Sequence, residues 1–330
     1  VSGGSLLTGL VFNLSNQKWP SSSDYRGRVF PEIRSTLTRR SLQATALTQL
    51  ILNPLNWRFL FSRVHMMAKT IRGIWGIEAE LKDLPESPVW AINATPAENG
   101  KRFRIKGSEL GDYELGYTKA PQFRVADAMA ISAAFPVGIG PYRLKTRKYA
   151  WEKRKKWDSD ELIPGYRPRF QTLHLYDGGL YDNLGLEPLF DIGEQTIKNL
   201  SGTVVDQVIV SDASSPPENS SIPGFLNPMR IKRMIDITLT QVRFLRIRSF
   251  TNFCKSNPSK GRYFQIGSTY QTAHKLFGTH SSPYVADSHP SFGESKWSSL
   301  YPTTLKKMKE NEFDRIANHG YLVAKGCSDL

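Results

Sequence analysis

The chain has 330 residues, of which 39% are hydrophobic and 11% aromatic. That is enough apolar material for a sizeable core, and it excludes global disorder. The mean hydropathy is −0.39, and no run approaches 18 uninterrupted apolar residues, so a membrane-spanning helix is not expected. The formal charge of +14 and pI near 9.7 suit anionic partners, either phospholipid headgroups or nucleic acid, or equally a basic surface with no specific partner. Two cysteines, Cys254 and Cys327, with no CxxC spacing, make neither a disulfide framework nor a zinc site.

In chain order, residues 5–14 (SLLTGLVFNL) form an apolar helix directly after two glycines. A Pro/Ser-rich loop follows at 20–28. Residues 39–76 hold two helical patterns broken at Asn53-Pro54; the second is a lid or interfacial helix, or a core helix. PVWAINA at 88–94 reads as a buried strand, followed by a short meander of KRFRIKG and YELGYTK. FRVADAMAISAA at 123–134 is a helix stopped by Pro136. TLHLYDGG at 172–179 is a strand ending in a glycine turn, and a helix is expected over 186–199. VVDQVIVSDAS at 204–214 is a β-branched buried strand. Residues 228–250 form a long helix, core-facing with a basic outer face. RYFQIG at 262–267 is a strand, and the last helix covers about 302–318.

Strands that alternate with helices predict α/β architecture: three layers, a mostly parallel central sheet and helices on both faces. The Pro/Ser-rich stretches read as surface loops, so a single domain is expected over 1–330, with a basic insertion at 143–169.

Two turns carry chemistry. Val1-Ser2-Gly3-Gly4 supplies x-S-x-G, the later part of a G-x-S-x-G elbow. Such a turn holds a serine exposed at a helix N-terminus, where the next N–H helps to stabilise an oxyanion. Downstream, Asp177 ends a strand and is followed by Gly178 and Gly179, whose lack of side chains allows close backbone approach. Asp182 and Asn183 are suited to pinning the same loop through side-chain-to-backbone bonds.

VSGGS followed far downstream by DGGLYDNLG resembles the patatin-like phospholipase family. WAINATPAENGKRFRI, FRVADAMAISAAFPVGIGPYRL and VVDQVIVSDAS resemble further family segments in the same order. The likeness is weakest over 20–80 and 143–170. It implies a Ser–Asp dyad with Ser2 as nucleophile and Asp177 as general base, no histidine, and an acyl-enzyme that water hydrolyses. Gly3, Gly4, Gly178 and Gly179 fall on the motif positions, with the Gly3 N–H as an oxyanion donor. It also implies that the first glycine of the elbow, the strand before it and a glycine-rich oxyanion loop belong ahead of Val1. Losing one such donor typically costs about 10²–10³ in rate, so weak activity or none is expected of residues 1–330 alone.

Six histidines (His65, His174, His274, His280, His289, His319) sit in no recognisable motif, and four follow Asp177, so chain order leaves a triad open. Ser132 in AISAAFP reads as a packed small residue near the pocket. No HExxH, Walker A or EF-hand pattern is present, so no metal or cofactor is expected. YRLKTRKYAWEKRKKW at 142–157 interleaves aromatics with eight basic residues. It is either a solvated loop or, over 143–156, a contact for an anionic membrane surface. No nucleic-acid-binding motif accompanies the charge, so that partner is not expected.

The leading expectation is a lipid acyl hydrolase for phospholipid or acyl-glycerol esters, cytoplasmic or peripheral to a membrane. A non-enzymatic membrane-binding remnant and an esterase or thioesterase on soluble substrates are the alternatives. Oligomeric state stays open.

Overall fold

In the computed structural model, β1 (Ala91–Pro96), β2 (Phe103–Lys106), β3 (Glu109–Asp112) and β4 (Gly116–Lys119) follow one another without an intervening helix. Parallel neighbours need a crossover of roughly a dozen residues or more, and these links are far shorter. Each pair is therefore antiparallel. The structure describes residues 1–59, 62–136, 139–155, 161–163, 165–198, 204–217, 219, 221–224, 226–227, 229–269, 272 and 290–328. They divide into two compact units: Val1–Asn183 with Leu305–Met308, and Leu184–Thr304 with Lys309–Leu330.

The first unit is built on an eight-stranded sheet. The strands that complete it are β5 (Tyr142–Lys145), β6 (Trp151–Arg154), β7 (Leu162–Ile163) and β8 (Thr172–Asp177). The order is β5-β8-β1-β2-β3-β4-β6-β7, with antiparallel pairing throughout. This corrects the expectation of a mostly parallel, three-layer α/β sheet. Alternation of strands and helices along the chain suggested crossovers. The strands instead join as hairpins, and β8 returns to pair antiparallel with both β1 and β5. The basic stretch from 143 onward supplies β5, β6 and β7 of the same sheet. Within it Trp151 is buried and donates its indole N–H to the Thr146 carbonyl at 2.9 Å, while Arg143, Lys145, Arg147 and Lys148 are exposed.

The helices of this unit include α1 (Gly3–Leu14), α2 (Phe30–Arg39), α3 (Leu42–Leu52), α4 (Arg63–Trp75), α5 (Val125–Ser132) and the short α6 (Gly179–Asp182). α4 is a core helix: Val64, Met66, Met67, Ala68, Ile71 and Trp75 are buried. α5 is buried along nearly its whole length and packs on α1, α4, β1 and β8. Its alanines keep it thin enough for that position. Gly9 does the same on α1, because a Cβ there would lie 2.3 Å from Met129 Sδ.

In the second unit β9 (Phe190–Asp191) and β10 (Thr196–Ile197) form a hairpin where the sequence pattern predicts a helix over 186–199. Asp191 Oδ1 accepts the N–H groups of Gly193 and Glu194, at 2.9 and 3.0 Å, and Gln195 has φ 52°. That side-chain turn competes successfully with helix formation. β11 (Val208–Asp212) and β12 (Gly261–Gln265) are parallel, joined through α7 (Met229–Ser256). The last helix, expected over about 302–318, is α9 (Glu310–Ser328), which starts later and runs further; a separate helix, α8 (Phe292–Ser299), precedes it. Phe190, Phe250, Phe253, Cys254 and Tyr263 are central to the core. Burial pushes the Cys254 thiol up to about 12, which leaves it unreactive near neutral pH.

A buried ion pair fixes the end of β11. Arg243 Nη2 and Nε donate to Asp212 Oδ2 at 2.7 and 3.0 Å, and the Tyr263 hydroxyl donates to the same oxygen at 2.7 Å. Arg243 also binds the Ser214 and Ser215 carbonyls. Removing one partner of such a pair strands the other charge. Arg243→Ala is expected to cost about 3–5 kcal/mol, read as a lower denaturant midpoint. An unchanged midpoint would contradict this role.

Candidate active site

Ser2 and Asp177 lie 175 positions apart in sequence and are brought together in the first unit: the Ser2 side chain is hydrogen-bonded to the Asp177 carboxyl group. Ser2 caps α1 with φ 50° and ψ −126°, a conformation that costs a non-glycine residue on the order of 1–3 kcal/mol. Three backbone bonds hold it there. Its N–H donates to the Ser132 carbonyl at 3.0 Å, and its own carbonyl accepts from Ser5 and Leu6 at 3.0 and 3.3 Å. Gly3 and Gly4 follow in open space, with nothing within 4 Å of a Cβ at either. The Gly4 N–H is taken by the Val1 carbonyl. The Gly3 N–H belongs to the first helical turn, whose donors have no intrahelical acceptor.

Asp177 ends β8 and is only 4% exposed. Its N–H donates to the Ala134 carbonyl at 3.0 Å, and its carbonyl accepts from Thr95 Oγ1 at 3.0 Å. The carboxyl Oδ1 accepts the Gly179 N–H at 2.7 Å. Burial pushes the Asp177 pKa up to about 6, against the opposing pull of the Gly179 and Ser2 hydrogen bonds. The group is thus largely ionised at neutral pH yet close enough to it to accept and return a proton.

Gly178 is required by space. Its φ of −61° suits any residue, but a Cβ there would lie 2.4 Å from the Asn93 carbonyl oxygen. β1 passes directly behind the turn, with Ala94 opposite Asp177. At Gly179 a Cβ would press on Asp177 Oδ1 at 3.1 Å.

The structure gives residues of this site anchoring roles that sequence reasoning did not assign. Ser132, read as a packed small residue, is fully buried, shares a 2.9 Å hydroxyl contact with Ser5 and supplies the carbonyl that anchors Ser2. Ala134 and Thr95 anchor Asp177. The only sequence signal for this group was the small-residue run AISAA before Pro136.

Among the described residues no histidine joins the dyad. His174 is on β8, but it alternates with Leu173, Leu175 and Asp177 and faces the other side, where Nδ1 lies 2.8 Å from Glu98 Oε1. His65 packs at a tilt against the Tyr142 ring and is held down to about 4 by burial first and Arg143 second. His319 is in the second unit and accepts the Gly267 N–H. His274, His280 and His289 lie outside the described residues. Asp182 is fully buried on α6, its N–H bonded to the Gly178 carbonyl, so it helps to close the turn. Among the described residues no group of three or more His, Cys, Asp or Glu could hold a metal ion.

No family model matches the chain, and no curated protein matches it in sequence. The case for chemistry therefore stands on this geometry. Gly178→Ala tests it without touching a reacting atom: the new Cβ must push β8 from β1. About 1–3 kcal/mol of stability should be lost, seen as a lower Tm, together with reactivity at Ser2. A variant with unchanged Tm and unchanged reactivity would contradict the tight packing behind the turn.

Proposed function

We propose that the protein is a serine acyl hydrolase acting on carboxylic esters of lipids, with Ser2 as nucleophile and Asp177 as its base. The observation that carries this reading is the strained serine at the N-terminus of α1, hydrogen-bonded to a buried carboxyl group whose pKa is raised to about 6. A serine hydroxyl is a weak nucleophile until a positioned base takes its proton.

Ser2 Oγ attacks the acyl carbonyl as its proton passes to Asp177. The Gly3 N–H and the positive end of α1 face the oxyanion that develops. Asp177 then returns the proton to the departing alcohol, leaving the acyl group on Ser2. Water, deprotonated by Asp177, releases the acid. The lipid substrate class comes from the likeness of VSGGS and DGGLYDNLG to patatin-like phospholipases; the basic surface agrees with it.

A fluorophosphonate reports on the nucleophile itself, because attack forms an Oγ–P bond and expels fluoride. Mass spectrometry is expected to place the adduct on Ser2. Ser2→Ala should abolish labelling, and Asp177→Asn should slow it by at least about a hundredfold. The rate should rise about tenfold per pH unit up to about 6, as Asp177 ionises, and then level off. Absence of an adduct, or an adduct on another serine, would remove the basis for the reading.

A further inference from the structure

A buried pair of hydroxyls sits beside the nucleophile and takes no part in the proton transfer. Ser5 is 1% exposed and Ser132 is fully buried, and their Oγ atoms lie 2.9 Å apart. Among the described residues neither hydroxyl has another hydrogen-bond partner. The pair closes a circuit around Ser2. The Ser2 N–H donates to the Ser132 carbonyl, and the Ser5 N–H donates to the Ser2 carbonyl, each at 3.0 Å. One turn further along α1, Gly9 lies against Met129 of α5. Ser5 and Gly9 are about one turn apart on α1, as are Ser132 and Met129 on α5, so the two helices meet in successive rungs. The polar rung is the one next to Ser2.

Packing alone does not call for hydroxyls here. A buried hydrogen bond made in exchange for bonds to water returns little net stability, and replacing both partners by apolar groups of the same shape is nearly neutral. What the bond adds is direction. It weakens steeply as its angle closes, whereas apolar burial has no preferred direction. A bond from the first turn of α1 to the last residue of α5 therefore resists rotation of α1 about its own axis. That rotation matters because Ser2 caps the helix and turns with it. A roll of about 15° would carry an atom roughly 4 Å from the helix axis through about 1 Å. A misplacement of that size costs about a hundredfold in rate when reacting groups are held in near-attack geometry. The Gly9–Met129 rung is apolar and supplies no such directional restraint.

We infer that Ser5 and Ser132 are positioning residues, whose hydroxyl pair fixes the rotation of α1 and so aims Ser2 Oγ at the Asp177 carboxyl group. Neither touches the reacting atoms; both act through Ser2. The inference rests on the acyl hydrolase reading for its effect on rate, and on the Ser2–Asp177 hydrogen bond alone for its effect on geometry. A pair that only filled space would change folding stability and nothing else.

The double variant Ser5→Ala with Ser132→Ala separates the two roles. Each single variant strands one buried hydroxyl and should lower Tm; the double variant removes both and should recover most of that loss. Positioning should not recover with it. At saturating fluorophosphonate the double variant should label at least about tenfold more slowly than the wild type, with the half-saturating concentration unchanged. Carboxyl-carbon NMR of Asp177 supplies a readout that needs no turnover. The Ser2 bond lowers the Asp177 pKa, so a misaimed Ser2 should move the inflection above the wild-type value near pH 6. Both single variants should shift rate and inflection in the same directions. A double variant that labels at the wild-type rate would overturn the inference, and so would one whose Asp177 inflection stays in place. A wild type that forms no Ser2 adduct would remove the hydrolase reading alone, because the inflection still decides whether the hydroxyl pair aims Ser2.

Discussion

Two backbone carbonyls at the end of α5 hold the candidate site together. The Ser132 carbonyl takes the Ser2 N–H and the Ala134 carbonyl takes the Asp177 N–H, each at 3.0 Å. Serine and aspartate come from opposite ends of the first unit's sequence, and this one short segment sets their separation. α5 can do so because it is rigidly placed: its buried small side chains pack on α1 and α4 on one side and on β1 and β8 on the other. The strained backbone of Ser2 persists because these contacts over-determine it.

The same packing sets the electrostatics. β1 runs behind the Asp177-Gly178 turn so closely that only glycine fits, and this seals the carboxyl group from water. Desolvation raises its pKa, and the Gly179 N–H and Ser2 hydroxyl temper that rise. Burial alone would leave a neutral acid at neutral pH; strong hydrogen bonding alone would leave a weak base. The balance between them gives a group suited to moving a proton near pH 6.

Much of the site could be read from sequence because its signals are local. Glycines after Ser2 and Asp177 mark sharp turns, the apolar run at 5–14 marks α1, and Pro136 marks the end of α5. The fold was less legible, because strand direction is a long-range property. A chain that alternates strands and helices is compatible with parallel crossovers, yet β8 pairs antiparallel with both β1 and β5. Local side-chain bonds also misled: Asp191 turns a segment with helical periodicity into the β9–β10 hairpin. The orientation of α7 was illegible for a similar reason. Its two faces are both partly apolar, and which one packs inward depends on Asp212 capturing Arg243 from another part of the chain.

The central claim is that Ser2 donates to a buried Asp177 whose affinity for protons is tuned by that bond. Carboxyl-carbon NMR of Asp177 across a pH series measures this directly. The account predicts an inflection near pH 6 in the wild type, because burial dominates, and a higher one in Ser2→Ala, because a bond that lowers the pKa has been removed. An inflection at the ordinary aspartate value of about 3.9, or one that does not move in Ser2→Ala, would contradict it.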